Sequence, residues 1–398
     1  MAAYRTLDGL EVAGRRVLLR LDLNVPVRDG RITDATRIER ALPTLGELTA
    51  AGARVVVLSH FGRPKGKREP EMSLAPLAAA LGQALGGRDV VFAEDCIGAA
   101  AEAAVGGLDD GEVALLENLR FHPGEEANDP AFADALATLG DLYVNDAFSA
   151  AHRAHASTAA LAARLPAAAG RAMAAELEAL EQALGAPKRP VTAVVGGAKV
   201  STKLAVLANL AARVDHLAIG GAMANTFLLA QGHDVGTSLV EAEMTETALE
   251  VLAAAAAKDC EVILPRDVVV AHALSRHVDI ATVVAERVPE GMMILDVGLR
   301  TVMDISDRLR ASATLVWNGP LGAFETPPFD ESTVRLAETA ARLSREGRLA
   351  SIAGGGDTVA ALRHARAADD FSYVSTAGGA FLEWLEGKAL PGVVALEA

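Results

Sequence analysis

From end to end, short runs of β-branched residues and leucine alternate with alanine-rich stretches: "RVLLRLDLN", "ARVVVLSH", "EVALLENLR" and "DLYVNDAF", then "TAVVGGAK", "HLAIGG", "EVILP", "TLVWNGP" and "LASIAGGG". A strand apolar along its whole length, rather than at every second residue, has to be covered on both faces. A parallel sheet flanked by helices does this. The pattern therefore predicts an α/β fold. Alanine, which loses no side-chain entropy in a helix, suits the segments between. With 398 residues, 51% of them apolar, the chain is long enough to bury a large core and is expected to divide into two domains.

The residues at the strand ends differ between the halves. In the first half they include Asp22, Asn24, His60, Arg63, Arg120 and, after "YVNDAFSAAH", Arg153; in the second they form "GGAK", "IGGAMAN", "WNGPLGAFE" and "AGGGDT". Open α/β sheets bind ligands beyond the carboxyl ends of their strands. One half thus offers an anion site rich in Arg and His, and the other offers glycine turns suited to a nucleotide. Between them, "AAELEALEQALGAPKRP" has apolar residues at helical spacing and is ended by Gly185 and Pro187, so Ala174 to Pro190 is expected to be a connecting helix.

Composition removes several function classes. A formal net charge of −15 argues against a nucleic-acid partner, which would need a basic face. The opening "MAAYRTLDGLEVAGRR" lacks the pattern of a secretory signal. No apolar run reaches the roughly 18 residues of a membrane span without a charge, so a soluble, cytoplasmic protein without a membrane partner is expected. Cys96 and Cys260 have no neighbouring Cys or His at metal spacing, so neither a disulfide framework nor a zinc site is suggested.

Each motif also has a plain alternative. In "LRLDLNVPV", Asp22 and Asn24 suit a strand-ending turn before Pro26 as well as a ligand. In "LSHFGRPKGKREP", His60 and Arg63 lie nearest the strand end, while Lys65 to Arg68 read as solvated. Arg120 in "LLENLRFHPGEE", Arg153 in "AFSAAHRAHAST" and Arg37 in "DATRIERALP" bring the strand-end arginines to four. Arginine offers paired donors that match carboxylate and phosphate oxygens, so the set describes a pocket for a small dianion or trianion. In "VVGGAKVSTKLAVL", Lys199 and Lys203 are expected on one helix face, four residues apart, behind Gly196 and Gly197. A helix N-terminus and an ammonium both favour phosphate, though the glycines suit a bare turn too. "WNGPLGAFE" reads as a Gly/Pro turn or as a ribose contact through Glu325, and in "SIAGGGDTVA" Asp357 is expected to cap a helix.

Taken in order, "RLDLNVP", "SHFGRP", "LLENLRFHPGEE", "DAFSAAHRAHAST", "GGAKVSTK", "IGGAMANTFL", "WNGPLGAFE", "GGGDT" and "STAGGAFLEWLEGKALPGV" resemble the signatures of the phosphoglycerate kinases, and the resemblance runs the length of the chain. It implies two doubly wound, Rossmann-like parallel-sheet domains: residues 1–173 for phosphoglycerate, a helix and linker over 174–189, and 190–375 for the nucleotide, with 376–398 returning to the first domain. By match to the family motifs, Asp22, Leu23, Asn24, Arg37, His60, Phe61, Gly62, Arg63, Arg120 and Arg153 would hold 3-phosphoglycerate or 1,3-bisphosphoglycerate. Gly197, Lys203, Gly220, Gly221, Asn318, Glu325, Gly355, Gly356, Asp357 and Thr358 would hold ATP or ADP, with Asp357 on the magnesium ion. Arg37, Lys199, Lys203, Gly356 and Gly378 would serve the transfer itself, Arg37 and Lys199 approaching from opposite domains as the cleft closes. The implied protein is a monomer that moves a phosphoryl group reversibly between 1,3-bisphosphoglycerate and ADP.

Two positions depart from the family pattern. Ala377 stands where a glycine is usual, which would strain the turn if the residue needs positive φ, and Leu299 stands where proline is common. Two other readings keep the architecture: a kinase for a different acyl phosphate, and a nucleotide-binding regulator without catalysis. No G-x-G-x-x-G comes after a strand, which disfavours a dinucleotide dehydrogenase.

Overall fold

The structure, a computed structural model, describes residues 4–28 and 31–397. The chain forms two compact units, Met1–Leu177 with Ala389–Ala398, and Glu178–Lys388.

The first unit is built on strands β1 (Arg16–Arg20), β2 (Arg54–Leu58), β3 (Val90–Ala93), β4 (Val113–Leu116), β5 (Leu142–Asn145) and β6 (Ala167–Ala169). They form one parallel six-stranded sheet in the order β3-β4-β2-β1-β5-β6. Val17, Leu18 and Leu19 of β1 are fully buried, as a central strand covered on both faces requires. Helix α1 (Thr36–Ala50) lays Ile38, Ala41, Leu45 and Leu48 into the core formed by Leu19, Leu21, Val55, Val57 and Leu115.

The second unit repeats the plan with β7 (Val191–Val195), β8 (His216–Ile219) and β9 (Glu261–Ile263), then a small antiparallel sheet of β10 (Asp267–Ala271), β11 (Ala281–Val284) and β12 (Met293–Val297), and finally β13 (Thr314–Asn318), β14 (Ala350–Gly354) and β15 (Tyr373–Ser375). Its main sheet, also parallel and six-stranded, runs β9-β8-β7-β13-β14-β15. The antiparallel sheet, ordered β11-β10-β12, closes a core of its own around Leu228, Val268, Val270 and Ile294, and was not anticipated from the sequence. In each main sheet the strand order reverses beside the first strand, between β1 and β5 and between β7 and β13. Such reversals leave a crevice beyond the carboxyl ends of the strands.

Helix α2 (Arg171–Leu180) widens into a π-type turn over Glu181–Gly185, and the division between the units falls inside it, after Leu177. The segment that returns to the first unit is shorter than the 376–398 implied by the resemblance. Ala389–Ala398 belongs there, with Gly392 N donating to Ala151 O at 2.8 Å. The helix before it stays in the second unit, where Asn209 Nδ2 donates to Leu385 O at 2.8 Å.

Candidate functional site

At the crevice of the first unit, four motifs distant in sequence and Arg37 are tied into one cluster. Asp22 lies just past β1, and its Oδ1 accepts from Arg37 Nη1 at 2.8 Å, while its Oδ2 accepts from the Ser149 hydroxyl. Arg37, in the first turn of α1, also donates to Asn24 O at 2.8 Å. Asn24 Oδ1 accepts from Gly62 N at 3.0 Å, and Gly62 O accepts from Arg120 Nη1 at 2.8 Å. Asn118 fastens the two strand ends together: its Oδ1 accepts from Arg120 N at 3.1 Å and its Nδ2 donates to Phe61 O at 2.7 Å. Thus Asp22, Asn24, Arg37, His60, Gly62 and Arg120 are brought together. Leu23 and Phe61 contribute backbone, because the Leu23 side chain lies in the core and Phe61 packs against it. Arg63 and Arg153 are exposed, Arg153 donating through Nε to His152 Nε2 at 3.3 Å.

The electrostatics of this cluster are settled by burial. His60 is 6% exposed, and burial together with the charges of Arg20, Arg120 and Arg37 holds its pKa well below the usual range, against the pull of Asp22. The imidazole is therefore neutral near pH 7. Burial disfavours the Asp22 carboxylate, but the Arg37 guanidinium, the Ser149 hydroxyl and the Asn24 backbone N–H outweigh it and keep its pKa low.

In the second unit the backbones themselves meet at the crevice. Gly196 N donates to Asn318 O at 3.0 Å, and Lys203 Nζ donates to Asn318 O at 3.1 Å and to Asn318 Oδ1. Asn318 Nδ2 in turn donates to Gly354 O at 2.7 Å, and Thr358 Oγ1 accepts from Gly319 N at 2.7 Å. Burial lowers the pKa of Lys203 from 10.5 to about 8, opposed by the nearby charge of Asp357.

Helix α3 (Leu204–Ala211) follows β7 and helix α4 (Gly221–Ala230) follows β8, with Gly220 as the N-cap of α4 and Gly221 N donating to Leu321 O at 2.8 Å. Helices α6 (Gly356–His364) and α7 (Gly378–Leu385) start side by side; a methyl on Gly378 would lie 4.0 Å from Gly356 N. Paired helix N-termini of this kind favour an anion. A pocket of about 350 Å³ opens beside them, lined by Gly197, Gly221, Leu239, Leu321, Glu325 and Asp357 among others. This is a ligand-sized space, mostly apolar with polar groups at its edge.

Two local expectations are overturned. Lys199 and Lys203 do not share a helix face, because the helix begins only at Leu204 and Lys203 is its N-cap residue. The hydroxyls before it bond locally instead of yielding to the helix, Thr202 Oγ1 to Lys199 O at 3.0 Å and Ser201 Oγ to Glu241. Lys199 consequently sits exposed in the loop. Nor is Asp357 a cap. Gly355, at φ 101°, turns the chain straight into the helix, so Asp357 lies in the first turn with its carboxylate exposed toward the pocket.

Similarity to known proteins agrees with this geometry. The phosphoglycerate kinase family model matches residues 7–388. The chain is 64% identical over 397 residues to a phosphoglycerate kinase of Rhizorhabdus wittichii and 61% identical over 399 residues to one of Methylobacterium radiotolerans, each alignment covering 100% of both chains. This chain belongs to the phosphoglycerate kinase family. Among solved structures, a phosphoglycerate kinase of Coxiella burnetii matches with a TM-score of 0.92 and 43% identity over 99% of both chains. One of Pyrococcus horikoshii matches with 0.79 and 31% over 98% of both. The protein is an enzyme with phosphoglycerate kinase activity, a reversible phosphoryl transfer of glycolysis and gluconeogenesis.

Within the phosphoglycerate kinase frame, both departures are accommodated. Ala377 has φ −92°, which an alanine adopts without strain, and Leu299 opens helix α5 (Leu299–Ala311), the helical position where proline and other residues interchange most readily. Sequence reasoning missed Arg20, Ser149, Glu125 and Ser157 in the first unit and Leu239, Met293 and Leu321 in the second. Arg20 and Glu125 had a signal, a charge set within or just after a stretch destined to be buried; the apolar pocket residues had none. Cys96 is likewise brought within 4.8 Å of Asp95 and His122, an arrangement invisible in the spacing. There His122 Nε2 and Asp95 Oδ1 pair at 2.6 Å, and burial pushes the thiol pKa well up, which keeps it protonated.

Proposed function

We propose that the cluster around His60 binds the phosphoglycerate and that the pocket beside Gly356 and Gly378 binds the nucleotide. The observation that carries this is the contrast between the two crevices: one gathers buried arginine and histidine side chains, the other backbone N–H groups, glycine turns and one partly buried lysine. Arg37, Arg120 and neutral His60 would take the carboxyl and phosphate groups of 3-phosphoglycerate or 1,3-bisphosphoglycerate, Arg63 and Arg153 closing over them from the solvent side. Glu325 at the pocket edge would accept from the ribose of ATP or ADP, Gly220 and Gly221 would lie along the base, and Asn318, Gly355, Gly356 and Thr358 would line the phosphates.

The family uses a magnesium nucleotide. The exposed Asp357 carboxylate fits that ion, a hard cation that takes oxygen ligands, and when bound the ion neutralises phosphate charge. Lys203 would hold a phosphate oxygen, and Arg37 and Lys199 would neutralise the transferring group. The acceptor is a carboxylate or a phosphate that is already ionised, so no general base is called for and the chain has only to position and neutralise.

Among the described residues no helix is long and apolar enough to cross a membrane. From the family resemblance we take the enzyme to be a cytoplasmic monomer. Titration calorimetry tests the division of labour. Arg120→Ala is expected to weaken 3-phosphoglycerate binding by at least about tenfold while leaving Mg-ADP binding intact, and Lys203→Ala to do the reverse. Loss of both ligands in either variant would refute the assignment.

A further inference from the structure

His60 is held by a chain of buried polar groups that substrate binding alone does not explain. Arg20, the last residue of β1, is 0% exposed, as are Ser157 and Glu125. The Arg20 guanidinium donates from Nε to Ser157 Oγ at 2.9 Å and from Nη1 to Leu21 O, and its Nη2 lies 3.1 Å from His60 Nδ1. Ser157 Oγ lies 2.6 Å from Glu125 Oε1, and Ser157 N donates to Glu125 Oε2 at 2.9 Å. A buried guanidinium and a buried carboxylate are thus joined through one hydroxyl rather than directly.

The donor and acceptor roles along this chain leave one arrangement. A guanidinium only donates and a carboxylate only accepts. The Ser157 hydroxyl must therefore give its proton to Glu125 and accept from Arg20. At the other end, His60 Nδ1 must accept from Arg20, so the single proton of the neutral ring belongs on Nε2. The groups facing the ring are Arg20, Arg37 and Arg120 with Asp22 as the opposing carboxylate, and burial with this excess of positive charge keeps the ring neutral.

We propose that Glu125 and Ser157 are positioning residues which, through Arg20, hold His60 as its Nε2–H tautomer, so that the ring meets an anionic ligand as a donor without carrying charge. The ligand part of this rests on the phosphoglycerate reading of the cluster; the tautomer does not. Without the chain, a neutral ring is free to move its proton to Nδ1 and turn a lone pair toward the anion.

Long-range proton–nitrogen correlation spectra of the full chain labelled at histidine, with His60 assigned through His60→Gln, read the tautomer directly. The wild type is expected to show a neutral Nε2–H ring that does not titrate between about pH 5 and 8. In Ser157→Ala and in Glu125→Gln the His60 signals are expected to move toward a tautomer mixture. KM for 3-phosphoglycerate should rise about tenfold, with kcat within about twofold and KM for Mg-ATP unchanged, the signature of lost uniform binding. A wild-type Nδ1–H ring, or a ring titrating near its ordinary pKa, overturns the proposal whatever the variants do. So do His60 signals unchanged in both variants. A shifted tautomer with an unchanged KM contradicts phosphoglycerate binding at His60 and leaves the tautomer control standing.

Discussion

A methyl on Gly196 would stand 1.8 Å from Pro320 O, and one on Gly319 would stand 2.1 Å from Gly196 O, so these two glycines mark where β7 and β13 pass too closely for any side chain. Gly196→Ala is expected to destabilise the second unit by about 1–3 kcal/mol, read from denaturant unfolding. Asp357 behaves oppositely. With no capping bond to lose, Asp357→Asn should leave the ligand-free melting temperature unchanged and remove most Mg-dependent turnover; full activity would show that the carboxylate is idle. Lys203 predicts a pH dependence. Burial has lowered its pKa to about 8, so its charge is present below that pH and lost above it. Mg-ADP affinity is therefore expected to be flat below about pH 7 and to fall up to about tenfold per unit above 8, with proton uptake on binding, whereas Lys203→Arg should flatten the profile. An unchanged affinity at pH 9 would contradict the lysine's role.

At the scale of elements, the strands were legible because a fully covered parallel strand announces itself as a continuous apolar run, and β1, β2, β4, β7 and β13 all do so. Helix starts were less legible. The local hydroxyl bonds of Ser201 and Thr202 delay α3, and the left-handed Gly355 advances α6, so the lysine pair and the expected cap both fell out of place. Both effects depend on backbone angles and distant partners that spacing does not encode. The same holds for Glu125 and Ser157, which reach His60 only through folding. Leu299 gives the element-scale prediction. It is the first residue of α5 and exposed, while the neighbouring Arg300 and Thr301 N–H groups are already satisfied by Asp267 at 3.0 and 2.8 Å. Leu299→Pro is expected to raise stability by about 0.4–1 kcal/mol, chiefly by restricting the unfolded chain, as chemical denaturation would show.

For the molecule as a whole, the sheet is used twice with the same strand-order reversal, and the chain places different groups at each reversal: buried arginine and histidine side chains in the first unit, glycine turns and Lys203 in the second. Arg37 carries the most direct prediction, because its guanidinium is anchored by Asp22 and Asn24 yet remains partly exposed to a ligand. A coupled assay with 3-phosphoglycerate and Mg-ATP on the wild type and on Arg37→Ala measures whether this group neutralises the transferring phosphoryl. The prediction is a loss of about 100-fold or more in kcat, the size expected for removing one preorganised charge from a developing one, with a native circular dichroism spectrum but a lowered melting temperature, because Asp22 loses its ion-pair partner. Turnover in Arg37→Ala equal to that of the wild type would contradict it.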